Sequence, residues 1–318
     1  MQRKIAFLDR VHPVLEEGLM GLGWNCVDLT KTSQQRLEEE IGDYHGIVIR
    51  SRLPMNATFL KHAVKLEFIA RSGAGMENID EQYCQSRGIK LFNAPEGNRN
   101  AVAEHALGML LSLFNNLNKA DREVRDGIWD REGNRGVELD GQTVGIIGYG
   151  NNGSTFAKKL RGFDVRVMAY DKYKSGFGNE FIEEVTLSEI QENATVVSLH
   201  VPETPVTRGM INERFIDQMN HPFYLINLSR GVNVVSTDLM DAIETGEVLG
   251  ACLDVLEYEK SSFENLFDNK DVMPLPLKYL IQSDKTILSP HVGGWTFQSY
   301  EKLSQVLLDK IKKEFTNN

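Results

Sequence analysis

The chain has 318 residues, 41% of them hydrophobic and 25% charged, with a formal net charge of −10 at pH 7. That length and balance describe a globular protein of about two domains, and the acidic excess argues against nucleic acid or an anionic membrane as partner. No stretch reaches membrane-spanning length, no signal-type segment opens the chain, and Cys26, Cys84 and Cys252 are too widely spaced for a disulfide framework, so a cytoplasmic protein with free thiols is expected.

In chain order, β-rich runs at 4–8, 46–49, 67–71 and 89–92 alternate with helical patterns at 14–22 and 57–64. That rhythm predicts a parallel sheet. A helical stretch at 101–113 follows as an outward crossing, and the polar stretch 122–141 reads as a solvated loop or a subunit-contact arm. From 143 a second series runs through 165–169, 196–199, 224–227, 248–255 and 286–288, and the last helix, 298–315, can return to the first domain. The expected fold is therefore α/β, with two doubly wound parallel sheets and a hinged cleft between them where a substrate would sit.

The run Val144-Gly145-Ile146-Ile147-Gly148-Tyr149-Gly150-Asn151-Asn152-Gly153 is an apolar strand leading into Gly-x-Gly-x-x-Gly and a helix. Gly148 permits the tight turn, Gly150 lets backbone approach a pyrophosphate, and Gly153 lets the helix pack on the sheet. The next strand closes with Asp171, placed to accept hydrogen bonds from a ribose diol. A 2′-phosphate would meet a like charge there, so NAD is expected rather than NADP.

Three further segments should leave the carboxyl ends of strands toward the cleft: Asn227-Leu228-Ser229-Arg230-Gly231, Asp254 through Glu259, and Ser289-Pro290-His291-Val292-Gly293-Gly294. Together they supply a cation, a carboxylate and an imidazole. Reduction of a 2-keto acid needs a proton delivered to the carbonyl oxygen, a task for His291. Glu259 would orient that ring and hold it protonated, and Arg230 offers a planar fork for a substrate carboxylate. Glu257 is the rival carboxylate, and the spacing from Asp254 favours Glu259. No metal site is expected.

Taken together these motifs resemble the D-isomer-specific 2-hydroxyacid dehydrogenases, in particular the D-3-phosphoglycerate dehydrogenase branch. The resemblance extends through Ser72-Gly73-Ala74-Gly75-Met76-Glu77-Asn78-Ile79-Asp80, Asn93-Ala94-Pro95 with Asn98, Val102-Ala103-Glu104-His105, His200-Val201-Pro202 with Thr204 and Thr207, Ser229-Arg230-Gly231 and His291-Val292-Gly293-Gly294. It implies a flavodoxin-like substrate domain of residues 1–98 with 292–318 and a Rossmann NAD domain of residues 99–291. It also implies Arg230, Glu259 and His291 as the catalytic trio, with Ala74, Gly75 and Asn98 at the substrate carboxylate. For NAD it implies Asn151 and Asn152 at the pyrophosphate, His200, Pro202 and Thr207 along the adenosine half, and Asp254 at the carboxamide. Leu228, Ser229, Gly293 and Gly294 are expected beside the cofactor. A homodimer through the NAD domains is implied as well.

The chain departs from the pattern in places. Asn151 and Asn152 stand where a basic residue or histidine and an aliphatic one are usual, Glu259 is followed by Lys260 instead of proline, and the segment 261–285 is longer than in close relatives. The sequence ends soon after the final helix, so a serine-sensing domain and feedback by serine are not expected. Arg50 and Arg52, after the strand at 46–49, could reach a substrate phosphate, which points to 3-phosphoglycerate and phosphohydroxypyruvate in serine biosynthesis. Glyoxylate, hydroxypyruvate or lactate-type substrates need only the carboxylate site. An NAD-sensing regulator on the same scaffold is the reading from another class.

Overall fold

The computed structural model describes residues 2–259 and 273–316, and the chain forms two compact units, Met1–Arg99 with Trp295–Asn318, and Asn100–Gly294. Part of the long 261–285 segment, with Lys260, thus lies outside the described residues.

In the first unit the apolar runs form β1 (Lys4–Phe7), β2 (Asn25–Asp28), β3 (Gly46–Ile49), β4 (Phe68–Arg71) and β5 (Lys90–Phe92), all parallel, in the order β2-β1-β3-β4-β5. All four residues of β3 are buried, as expected for a strand covered on both faces. Leu37, Ile41, Phe59 and Leu60 pack one face of the sheet. On the other, Leu303, Leu307, Leu308 and Ile311 of the helix Phe297–Thr316 meet Leu15, Leu19, Trp24 and Phe68. Each such side chain contributes roughly 1.5–3 kcal/mol of burial, so this last helix is a core element of the first unit.

The second unit holds β6 (Thr143–Ile147), β7 (Arg166–Tyr170), β8 (Ile182–Glu184), β9 (Val196–Leu199), β10 (Phe223–Asn227), β11 (Val248–Leu253) and β12 (Thr286–Leu288). They too run parallel, in the order β12-β11-β10-β9-β6-β7-β8, with a hydrophobic cluster on each face. The two doubly wound parallel sheets expected from the alternating pattern are both present.

Some boundaries differ from those read in the sequence. β2 and β8 were not anticipated, because Asn-Cys-Val-Asp and Ile-Glu-Glu are edge strands with too little apolar alternation. The crossing helix begins at Pro95, well before 101, since proline fits the first helical turn. The polar stretch from 122 is not all loop: Leu117–Arg125 is helical with no buried residue. The 57–64 helix stops at Leu60 after Asn56 caps it through Phe59 N–H at 3.0 Å. All three cysteines are free, and burial pushes the Cys26 and Cys84 thiols up to about 11.

Candidate active site

The second sheet reverses direction at β6, with β7 and β8 on one side and β9 on the other, and ligands of such sheets bind outside the strand ends at that reversal. There β6 gives way to Gly148 at φ +95°, and a Cβ on it would come within 2.6 Å of His200 O, so only glycine fits. Gly153 likewise approaches Gly148 O too closely for a side chain, at 2.0 Å from an added Cβ. The helix Asn151–Lys159 therefore starts hard against the strand, with no side chain capping its first turn.

A cavity of about 410 Å³ opens beside this turn, lined by Gly148, Gly150, Asp171, His200, Pro202 and Thr207 among others. Asp171 closes β7, where its carboxylate accepts from Tyr149 N (2.8 Å), Tyr173 N (2.9 Å) and Lys174 N (3.1 Å). It thus fixes both loops at the cavity rim. Thr207 Oγ1 donates to Pro202 O at 2.6 Å, bracing the cavity wall. His200 Nε2 pairs with Ser198 Oγ at 2.8 Å, and burial pushes the His200 pKa down to about 4, so this ring is uncharged at neutral pH. Asn151 O accepts from the Thr155 hydroxyl, while Asn152 Oδ1 is buried with no protein partner. Glycine backbone, the N–H groups of a first helical turn and a rim carboxylate suit a dinucleotide, and the residues fit NAD.

β10, β11 and β12 are neighbours and parallel, so the loops that follow them leave one edge of the sheet. Asn227, wholly buried at the end of β10, orders the first loop: its Oδ1 accepts from Ser229 N (3.0 Å) and Ser229 Oγ (2.7 Å), and its Nδ2 donates to Arg230 O (2.9 Å). Ser229 and Leu228 are both buried as parts of this framework. Arg230 Nη1 donates to Ser229 O at 2.6 Å. A Cβ on Gly231 would lie 2.0 Å from Leu256 O, which shows how tightly the Arg230 loop abuts the loop after β11.

His291 and Glu259 meet directly, with Nδ1 2.8 Å from Oε2, leaving Nε2 as the nitrogen turned away from the carboxylate. Glu257 goes elsewhere: it accepts from Ser236 N at 2.8 Å, at the start of the helix Ser236–Thr245. His291 itself has φ +53°, a left-handed conformation that costs a non-glycine residue on the order of 1–3 kcal/mol. Asp254, 2% exposed, offsets that: Val292 N (2.8 Å) and Gly293 N (2.8 Å) donate to its carboxylate, and His291 N donates to its backbone carbonyl (2.8 Å).

In the first unit, Arg50 and Arg52 have different surroundings. The Arg52 guanidinium donates to Leu8 O and Leu29 O, each at 3.0 Å, and to Thr32 O. This corrects the expectation that it faces a substrate phosphate: it ties the ends of β1 and β2 together. Arg50 instead lies over the Trp295 ring, 4.2 Å from its centroid, and burial holds its pKa below the ordinary guanidinium range. Ala74 O accepts from Asn93 Nδ2 at 2.8 Å, while the Ala74 and Gly75 N–H groups have no acceptor among the described residues. Asn98 Oδ1 is also buried without a partner. Sequence reading passed over Arg71, at the end of β4, whose guanidinium fills the space a Cβ on Gly73 would take. Asn227 stands in the Asn227–Gly231 segment, but the sequence assigns its side chain no role. Both end a strand that leads into a loop motif, and that position is their one signal.

Among the described residues no cluster of His, Cys, Asp or Glu is arranged to hold a metal ion, and no helix is long and apolar enough to cross a membrane. Residues 107–293 match the family model for the D-isomer specific 2-hydroxyacid dehydrogenase NAD binding domain. A D-3-phosphoglycerate dehydrogenase of Archaeoglobus fulgidus is 31% identical over 94% of this chain, which spans 55% of that relative's length. A hydroxypyruvate reductase of Thermotoga maritima is 30% identical over 96% of this chain and 97% of its own. Among solved structures, a D-lactate dehydrogenase from Aquifex aeolicus complexed with NAD and lactic acid superposes with a TM-score of 0.82 at 27% identity, covering 99% of this chain and 96% of that one. The chain belongs to the D-isomer-specific 2-hydroxyacid dehydrogenases, NAD-dependent oxidoreductases that act on CH–OH groups.

Proposed function

We propose that this chain interconverts a D-2-hydroxy acid and its 2-keto acid, with 3-phosphoglycerate and phosphohydroxypyruvate as the physiological pair in a serine-forming route. The observation that carries the chemistry is the His291–Glu259 contact at 2.8 Å. A ring anchored through Nδ1 keeps Nε2 for the reacting oxygen, so His291 gives a proton to the carbonyl during reduction and takes it back during oxidation. Arg230 grips the substrate carboxylate and polarises the carbonyl. The nicotinamide, when bound, supplies or accepts the hydride. The N–H groups of Ala74 and Gly75 and the Asn98 amide receive the carboxylate, while Arg50 takes the phosphate, its plane set by Trp295.

Asn151 and Asn152 hold the pyrophosphate, Asp171 selects a ribose diol, and Asp254 with Gly293 and Gly294 borders the carboxamide. Asp254 serves there while also holding the 291–293 turn. The exposed side chains of Leu117, Val124, Ile128 and Trp129 support a homodimer formed through the NAD domains, and Trp129 at 80% exposure is the largest of them. A cytoplasmic setting agrees with the three free thiols.

A second reading, reduction of hydroxypyruvate or glyoxylate, is favoured by the Thermotoga hydroxypyruvate reductase, 97% of whose length this chain matches. NADH oxidation with phosphohydroxypyruvate, hydroxypyruvate, glyoxylate and pyruvate separates the two. The phosphate reading expects Arg50→Ala to lower kcat/KM for phosphohydroxypyruvate about 10- to 100-fold and for hydroxypyruvate less than threefold, in line with a lost charged contact of roughly 1.5–3 kcal/mol. Equal losses on both substrates overturn it.

A further inference from the structure

A second imidazole reaches the catalytic turn by a different route. His105 Nε2 lies 2.9 Å from Ser289 Oγ, and Ser289 Oγ lies 2.6 Å from Asp254 Oδ1; the imidazole and carboxylate are 3.8 Å apart. Ser289 has one hydroxyl proton. The Asp254 carboxylate already accepts from Val292 N and Gly293 N, so the hydroxyl donates to it, and Ser289 Oγ must then accept from His105. This fixes the proton of His105 on Nε2. It also places three donors around a carboxylate that is 2% exposed, with an imidazole as the nearest group able to carry a compensating charge.

Asp254 is the anchor of the turn that holds His291 at φ +53°. A shift in its carboxylate moves Val292 and Gly293, and with them the ring of His291 against Glu259. His105 lies on the helix Pro95–Phe114, in the motif Val102-Ala103-Glu104-His105, and touches neither the His291 ring nor Glu259 through any hydrogen bond among the described residues.

We propose that His105 is a positioning residue: by donating through Nε2 to Ser289 it sets the orientation of Asp254 and so the left-handed backbone at His291 from which the proton is delivered. The inference rests on the assignment of His291 as the proton donor. A displacement of about 1 Å at a reacting group costs rate far more than binding, so the effect falls on kcat.

The test is a double-mutant cycle on His105→Ala and Ser289→Ala, with His105→Gln as the rescue, read by single-turnover NADH oxidation with a keto acid and by NADH fluorescence titration. The expected result is a roughly tenfold loss in the hydride-transfer rate for His105→Ala with KM for the keto acid within threefold. Recovery to within threefold of wild type is expected for His105→Gln, whose amide nitrogen can donate to Ser289, and the double variant should be no slower than the worse single one. Wild-type rates in His105→Ala, multiplicative losses in the double variant, or a Gln variant as slow as Ala would each overturn it. His291→Ala run in parallel separates the two readings. Full turnover in that variant defeats the proton-donor assignment, whereas loss there with wild-type behaviour in His105→Ala defeats the positioning role alone.

Discussion

At the reversal of the first sheet, between β1 and β3, side chains close the strand ends onto one another: Asp9 accepts from Arg50 N at 2.6 Å and Arg52 N at 3.2 Å, and Arg52 donates back to carbonyls after β1 and β2. At the reversal of the second sheet, between β6 and β9, glycines replace side chains and a cavity of about 410 Å³ remains. Two doubly wound parallel sheets of different strand order therefore use the edge at their reversal differently. In one, polar side chains satisfy the backbone and close the strand ends onto one another. In the other, bare backbone is held open for a large cofactor, and its polar groups line the wall.

The strongest way to break this contrast is to fill the open edge. Gly153→Ala forces a Cβ to 2.0 Å from Gly148 O, and the helix must move off the strand. NADH affinity is expected to fall at least 100-fold by fluorescence titration while the first unit stays folded; unchanged affinity would show that the close approach is dispensable. Next in size is the closed edge. Arg52→Ala removes three bonds to backbone carbonyls and should cost about 2–3 kcal/mol of stability in denaturant unfolding. Its effect on phosphohydroxypyruvate and hydroxypyruvate turnover should be equal, and a selective loss on the phosphorylated acid would return Arg52 to the substrate side.

The smallest effect concerns pH. His200 titrates near 4 in the folded chain against an ordinary 6.5, so the unfolded chain binds more protons between those values. Stability is then full above about pH 6.5 and declines as pH falls toward 4, by at most about 3 kcal/mol. His200→Gln should flatten that part of the profile in thermal unfolding measured from pH 4 to 7; an unchanged slope would assign it to other groups.

How far the sequence reveals these features depends on what restricts residue choice. The glycine turn was legible because backbone geometry admits one residue type at Gly148, and the core strands because burial on both faces demands apolar runs. The edge strands β2 and β8 were not, since more than half of their residues face water. Arg52 looked like a ligand group because nothing local reveals that residues 8, 29 and 32 converge on it. Glu257 and Glu259 are two residues apart and chemically alike; spacing from Asp254 favoured Glu259, and only the folded loop shows Glu257 turned to Ser236 N. The Ser289–His105 link joins positions 184 apart, beyond the reach of any local pattern.

The central claim, that His291 delivers the proton while Glu259 holds it in place, is tested most directly by rapid mixing of the NADH-loaded protein with hydroxypyruvate and following the loss of NADH absorbance in one turnover. His291→Ala is expected to lower that rate by about 10²–10⁴-fold with NADH binding unchanged, as for loss of a general acid. A variant that turns over as fast as the wild-type chain would contradict the account.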